Sequence, residues 1–214
     1  MKMTQVYDTG SGSLAGTTAR IVDGVMIVGK RITKNNSKTI KQIFQRDKQK
    51  FVREVADSVK IDIIDNFWPK PAPLSYPYNN FISKNLFNQT EFVDPATPFS
   101  PDKLKLIMST GSLEGVTIDA ENSYKAADGL VRFSWIGVPK ASGLASDNAV
   151  IVVYDIGTKY AYINTDYTRG DANDSYNISP GLILANLVFI YFFWRMNGDK
   201  QLRSSSLAVS PTAG

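Results

Sequence analysis

Hydrophobic positions in the first half of the chain recur with a helical period. Apolar residues occupy positions 40, 43, 44, 51, 52, 55 and 59, so the steps are mostly three, four or seven residues. This spacing predicts one amphipathic helix, with basic side chains on the opposite face. The pattern continues less regularly through residues 61–67, which indicates a second helix or a kink near Lys60.

Prolines interrupt this helical pattern twice. Those in segment 68–73 remove backbone donors and disfavour the helical conformation of the residues before them. Pro77 suits the first turn of another short helix. One face of that helix carries four apolar residues: Tyr78, Phe81, Ile82 and Leu86. Three further prolines lie in segment 93–102, where we place the domain boundary.

From residue 103 onward the hydrophobic period changes from 3.6 to 2, which predicts strands. The dipeptide Asn197-Gly198 is a strong signal for a two-residue hairpin turn. About seven short strands favour an antiparallel β-sandwich of the immunoglobulin or fibronectin type III kind, with Trp135 in its core. The predicted strands cover residues 103–108, 131–135, 149–154, 159–164, 176–178, 187–195 and 201–209.

The amino terminus has a different character. Residues 9–19 are small and hydroxyl-rich, which predicts a flexible arm or loop. Residues 20–29 predict a hairpin, because two apolar runs flank the turn dipeptide Asp23-Gly24. An isolated hairpin is marginally stable in water, so we expect it to pack on something else, such as another chain.

Together these patterns predict an α+β fold, in which an arm, a hairpin and helices precede the β-sandwich. The predicted organisation is a Gly-rich arm and hairpin (1–33), a basic helical region (34–92), a proline-rich linker (93–102), the β-sandwich domain (103–209) and a tail (210–214).

Composition excludes several kinds of chemistry. The chain has 214 residues with no His and no Cys, so disulfides, thiolate sites and His-based catalysis are impossible. We expect no catalytic residue, no metal site and no cofactor. The most apolar stretch, residues 182–194, is shorter than the ~20 residues of a membrane-spanning helix. It favours a buried β-strand, and the amino terminus lacks the apolar region of a secretory signal.

The net charge of +4 comes from one segment. Residues 30–60 contain ten Lys or Arg and three acids, a balance of +7, whereas the remaining residues sum to −3. Such a segment can neutralise phosphates, or it can pair with an acidic protein surface. The candidate binding residues are Lys30, Arg31, Lys34, Lys38 and Lys41.

Three short motifs suggest other functions. The segment 8–11 spells the aspartic-peptidase signature Asp-Thr-Gly-Ser, and 155–158 is a degenerate second copy. The tripeptide 169–171 reads Arg-Gly-Asp, as in integrin ligands, and acids and amides at 171, 173 and 174 could contact Ca²⁺. Because each motif is short and common in loops, we interpret all three as structural turns.

Five short elements follow one another along the chain. They are the helix opening Thr39, Gln42 and Arg46; the segment 109–113; Phe133-Ser134-Trp135; Asp147 before the run 150–153; and Gly198-Asp199-Lys200 before 204–206. In this order they resemble a family of Bacteroidetes and phage-associated proteins known as a domain of unknown function. The chain departs from the usual pattern of that family at Thr110, where Arg is common, and at Phe51, which falls about two residues late. The resemblance implies a virion or assembly component.

We therefore expect a non-enzymatic structural protein, a bacteriophage virion component that binds other protein chains through its amino-terminal arm. Those chains would be further copies of itself or other virion proteins. One alternative is a nucleic-acid-binding accessory protein that uses residues 30–60, in the bacterial cytoplasm. A second alternative is an aspartic peptidase built on Asp8 and Asp155.

Overall fold

The structure, a computed structural model, describes residues 12–14, 17–22, 25–30, 39–68, 76–117, 125–127, 130–177, 183–210 and 212–213. The chain divides into two compact units, Met1–Thr39 and Ile40–Gly214. Helices combine with mainly antiparallel sheets, so the predicted α+β class is confirmed.

The first unit contains a three-stranded antiparallel sheet in the order β1-β2-β3. Val22 pairs with Val25 at the end of the β2–β3 ladder, which confirms the predicted hairpin, although turn residues 23–24 lie outside the described residues. Part of the segment predicted as an arm is itself a strand in this sheet. The three strands are β1 (Gly12–Leu14), β2 (Thr17–Val22) and β3 (Val25–Lys30).

The second unit opens with a helical region that confirms the predicted amphipathic pattern. Of the seven apolar positions that predicted this helix, residues 44, 51, 52, 55 and 59 are buried, whereas residues 40 and 43 are exposed. The expected break near Lys60 is a π-helical segment, in which the Ile64 N–H donates to the Val59 carbonyl at 3.1 Å. The helices are α1 (Ile40–Ser58), the π-helix Lys60–Ile64, α2 (Asp65–Phe67) and α3 (Pro77–Asn88).

Two sheets follow the helices. The central sheet has the order β10-β9-β6-β7, and β11 also pairs with β9. The second sheet has the order β12-β4-β5-β8, in which only the β12–β4 pair is parallel. In chain order the strands are β4 (Lys125–Ala127), β5 (Leu130–Ser134), β6 (Asn148–Asp155), β7 (Tyr160–Asn164), β8 (Asn173–Asn177), β9 (Leu187–Asn197), β10 (Lys200–Arg203), β11 (Leu207–Val209) and β12 (Thr212–Ala213).

Strands β6 and β9 are buried on both faces, which is why their sequences are almost continuously apolar. On one face Val152 and Ile190 join the hydrophobic cluster that contains the helices. On the other face Ile151 and Phe189 join a second cluster that contains Trp135. The helical region and the central sheet therefore share one core.

Trp135 is a core residue, as predicted. It follows β5, is almost fully buried, and its indole N–H donates to the Arg169 carbonyl at 2.9 Å. Its ring lies edge-on to Phe193 of β9, with the ring centroids 6.3 Å apart. The segment after β5 thus covers the central sheet on the face opposite the helices.

Residues 103–108 do not form the predicted strand. Lys103–Lys105 is a single 3₁₀ turn, and the side chain of Asn85 binds the next stretch of backbone. Its amide nitrogen donates to the Ile107 carbonyl at 2.9 Å, and its oxygen accepts from the Ile107 N–H at 2.8 Å. Since these backbone groups are satisfied by a side chain, the segment buries Met108 without a strand ladder.

The hairpin predicted at Asn197-Gly198 is present with its turn shifted by one residue. Asn197 pairs directly with Lys200, so Gly198 and Asp199 form the loop. Gly198 has a φ of 59°, a conformation that glycine adopts without steric cost.

We expect Asn85→Ala to lower the free energy of unfolding by about 2 kcal/mol, because it leaves the partly buried N–H and C=O of Ile107 without partners. Urea denaturation followed by tryptophan fluorescence measures this change. Asn79→Ala, at an exposed position of the same helix, is the matched control and should have little effect. Equal losses in the two variants would contradict this account of Asn85.

Candidate functional site

Strand β3 carries the most conspicuous exposed apolar surface among the described residues. All six of its residues are exposed, although side chains alternate between the two faces of a sheet. The exposed fractions are 64% for Val25, 51% for Met26, 45% for Ile27 and 54% for Val28. Apolar side chains of this strand are therefore open to solvent on both faces.

Strand β3 also lies at an edge of its sheet. It pairs with β2, and none of the other described strands lies along its second side. Proteins usually protect such edges with Pro, a bulge or an inward-pointing charge. Between Val25 and Lys30 the sequence offers only the terminal Lys30, so this edge is suited to pairing with another strand.

The structure places only part of the predicted basic site. Lys30 ends β3 and Lys41 lies in the first turn of α1, and both are exposed. The two residues belong to different units. The other predicted binding residues, Arg31, Lys34 and Lys38, lie outside the described residues.

Further along the basic segment, the cations have two different roles. Arg46, Lys50 and Arg53 are exposed and follow the i, i+4, i+7 spacing of one helix face. Lys48 is instead buried, and its ammonium donates to the Gln89 carbonyl at 3.2 Å. Burial lowers the pKa of Lys48 below its ordinary value. Lys48 therefore serves the fold, whereas the other three remain available for binding.

The sheet face that carries Trp135 also holds a buried ionic network. Asp147 is fully buried, with its carboxylate 3.2 Å from Arg169 Nε and 2.9 Å from Arg195 Nη1. The Arg169 guanidinium lies 3.9 Å from the centroid of the Phe193 ring, a cation–π contact. Two cations share one carboxylate here, so removal of Asp147 would leave buried positive charge uncompensated.

Glu114 anchors a neighbouring loop to this network. Its carboxylate accepts backbone hydrogen bonds from Lys140 at 2.8 Å, from Ala141 at 2.8 Å and from Gly143 at 3.1 Å, and its carbonyl accepts from Arg169 at 2.8 Å. Hydrogen bonds from the backbone of Lys140 and Ala141 hold the pKa of the Glu114 carboxyl below its ordinary value. The N–H groups of Lys140, Ala141 and Gly143 thus form an anion-binding nest that the protein fills itself.

The Arg-Gly-Asp tripeptide is part of the same structure. Arg169 is about 1% exposed, so its guanidinium is not presented to a receptor. The Asp171 carboxylate accepts from both the N–H and the hydroxyl of Thr168, in a capping box of the 3₁₀ turn Arg169–Asp171. No group of three or more potential metal ligands occurs among the residues that the structure describes.

The second peptidase-like motif is a tight turn between β6 and β7. Asp155 is buried, and its carboxylate accepts from the Gly157 N–H and the Thr158 hydroxyl, both at 2.8 Å. Both oxygens are therefore engaged in closing the turn. Asp8, the other candidate catalytic acid, lies outside the described residues, so the peptidase alternative stays a prediction.

The strongly apolar stretch 182–194 lies mostly in β9, as the sequence analysis predicted. Within the described residues, no helix has the length and apolarity needed to cross a membrane.

Comparison with known proteins finds no matching family model, no matching curated protein and no matching solved structure.

The sequence motifs that contain Asp147 and Arg169 do not predict the network that the two residues form. Asp147 precedes a β-branched run, and Arg169 begins the Arg-Gly-Asp tripeptide. They are 22 residues apart in sequence and meet only through the fold. The sequence does show two charged residues next to strongly apolar strands, but this pattern does not specify that the two residues pair with each other.

We expect Glu114→Gln to reduce the hydrogen-exchange protection of the 140–143 backbone, because an amide cannot accept from every N–H of the nest. The native pKa of Glu114 is lowered, so the carboxylate stabilises the loop fully above about pH 4.3 and loses this effect as pH falls. Wild-type protection should therefore decline with acidification, while that of the variant changes little. The exposed Glu91→Gln is the control. Identical protection in wild type and Glu114→Gln would refute this role.

Proposed function

We propose that this chain is a non-enzymatic structural protein that assembles by pairing β3 with β3 of a second copy. The single observation that supports this most directly is the exposure of four consecutive apolar residues, 25–28, on an edge strand. A small sheet with bare apolar side chains on both faces gains stability when further strands extend it. Another protein chain is the partner that can supply them.

The sequence of β3 suits an antiparallel, two-fold symmetric pair. In an antiparallel pair whose two-fold axis passes between Ile27 and Val28, Ile27 of each copy lies opposite Val28 of the other. Lys30 of one copy then lies opposite Val25 of the other, so the two ammonium groups are at opposite ends. A parallel pair would instead place Lys30 beside Lys30, and like charges directly opposite are destabilising.

Assembly in a bacteriophage virion is the setting that we propose for this activity. The support is the ordered set of sequence elements that resembles a phage-associated family, among them Asp147 before a β-branched strand. The bacterial cytoplasm is the alternative setting, and other virion proteins are alternative partners for the same strand.

For the carboxyl-terminal half we propose a β-sandwich of the immunoglobulin or fibronectin type III kind. Its support is that Trp135, directly after β5 of the second sheet, packs against Phe193 of the central sheet. Antiparallel pairing of β5 with β8 and of β6 with β9 agrees with such an arrangement. The helices on the other face of the central sheet would be an addition to that architecture.

We expect the wild-type protein to form dimers, and Ile27→Lys to raise the dimer dissociation constant by about a hundredfold. The change removes apolar burial of roughly 1.5 kcal/mol from each of the two copies. Light scattering coupled to size-exclusion chromatography over a concentration series measures the mass. Thr18→Lys, an exposed position on β2, is the matched control that should still dimerise. A wild-type protein that stays monomeric at every concentration would overturn self-assembly.

The exposed face formed by Arg46, Lys50 and Arg53 favours nucleic-acid binding as a second candidate function. Binding through these cations would weaken strongly between about 50 mM and about 200 mM salt, because it releases counterions from the phosphates. Fluorescence anisotropy with a labelled DNA duplex tests this. Lys50→Glu should weaken binding, whereas Lys84→Glu on the exposed side of α3 should have less effect. Absence of binding at the lower salt concentration would eliminate this candidate.

A further inference from the structure

A cavity of about 620 Å³ opens beside the central sheet, near the π-helical segment. Its size is within the ~300–1,000 Å³ range of small-molecule sites. None of the short motifs discussed above contributes to the described lining, although Gln201 lies in β10, next to the turn of the last hairpin. Three separate segments line it, contributing Asp62, Asn66 and Phe67; Tyr160, Ala161, Tyr162, Ile163 and Thr165; and Trp194 and Gln201.

One wall of the cavity comes from an uncommon backbone conformation. The π-helix Lys60–Ile64 joins α1 to α2 and presents Asp62 to the cavity. Such segments are rare and occur frequently at functional sites. The amide nitrogen of Asn66 donates to the carbonyls of Ile61 and Asp62, at 3.0 and 3.1 Å. These bonds fix the Asn66 side chain, so the wall is organised before any ligand arrives.

Trp194 contributes an unsatisfied donor to this region. Its ring packs against Phe67, with centroids 5.5 Å apart, and both residues line the cavity. The indole nitrogen is buried and has no acceptor among the residues that the structure describes. A buried N–H without a partner costs about 1–3 kcal/mol, so a ligand oxygen that reached it would be stabilised.

The charge of the lining restricts the ligand class. Among the residues that the structure describes, Asp62 is the only carboxylate in the lining, and neither Lys nor Arg lines the cavity. Phosphates and carboxylates would therefore meet a negative charge without a compensating cation. Thr165 and Gln201 supply hydroxyl and amide groups that can donate and accept hydrogen bonds, and the amide oxygen of Asn66 can accept. An uncharged ligand with several hydroxyl groups matches this set.

We propose that this cavity binds an uncharged carbohydrate. A sugar ring has an apolar face of C–H groups that can lie against Tyr160, which is exposed, and Trp194, which is partly exposed, and hydroxyls that can reach Asp62, Asn66 and Gln201. A purely apolar ligand would leave those polar groups without partners. The proposal does not depend on assembly through β3, because the lining residues that the structure describes all belong to the second unit.

Isothermal titration calorimetry with the full-length protein tests the proposal. The probes are cello-, xylo-, malto- and chito-tetraose at millimolar concentrations, with choline as a cationic comparison. We expect at least one tetrasaccharide to bind. Gln201→Ala and Asp62→Asn should each raise its dissociation constant by about tenfold, as loss of a hydrogen bond predicts. Gln45→Ala, at an exposed position of α1 outside the cavity, is the matched control.

Trp194→Phe removes the indole N–H and keeps an aromatic ring, so it should also weaken binding. If this core variant fails to fold, Gln201→Ala and Asp62→Asn still decide the question. Three results would overturn the proposal: no binding by any tetrasaccharide, binding of choline alone, or tetrasaccharide binding that neither Asp62→Asn nor Gln201→Ala weakens. Dimerisation measured on the same samples distinguishes failure of this proposal from failure of assembly through β3.

Discussion

Burial of strands β6 and β9 on both faces is the constraint on which the second unit depends. An apolar strand in the middle of a sheet must be covered on each side, and this chain uses different material for the two sides. Helices α1 and α3 and the π-helical segment cover one face. The segments around Trp135 and Arg169 cover the other. Because β6 and β9 contribute alternate residues to both clusters, damage to either cover exposes the same pair of strands.

The layer around Trp135 and Arg169 contains a network of ion pairs. Asp147 pairs with both Arg169 and Arg195, and Arg169 in turn binds the Glu114 carbonyl and lies over Phe193. Buried ion pairs of this kind add little stability compared with apolar packing, but breaking one is costly. Their geometry specifies how the loops after β5 and before β8 sit on the sheet. This structural role explains why an Arg-Gly-Asp tripeptide is not available at the surface.

Both proposed functions use parts of the protein where no layer fully covers the neighbouring strand or sheet. Strand β3 has apolar side chains without a covering layer, and the cavity beside β7 is a gap at the margin of the helical layer. In both places the fold leaves groups that another molecule could satisfy: apolar side chains at β3 and an indole N–H in the second unit. The residues of β3 and the described residues that line the cavity belong to different units of the chain.

The sequence by itself determined those elements of the protein that are stabilised by residues close to them in the chain. The helical stripe of α1, Pro77 at the start of α3, the two hairpins and the β6–β7 turn could all be predicted, because spacing and turn chemistry act over a few residues. Tertiary structure alone decided the 3₁₀ turn at 103–105, where the side chain of Asn85 replaces a strand partner. It also decided the Asp147–Arg169 pair and the cavity, because their members come from distant segments. Sequence patterns show which face of an element is apolar, but they do not specify which distant residue that face will contact.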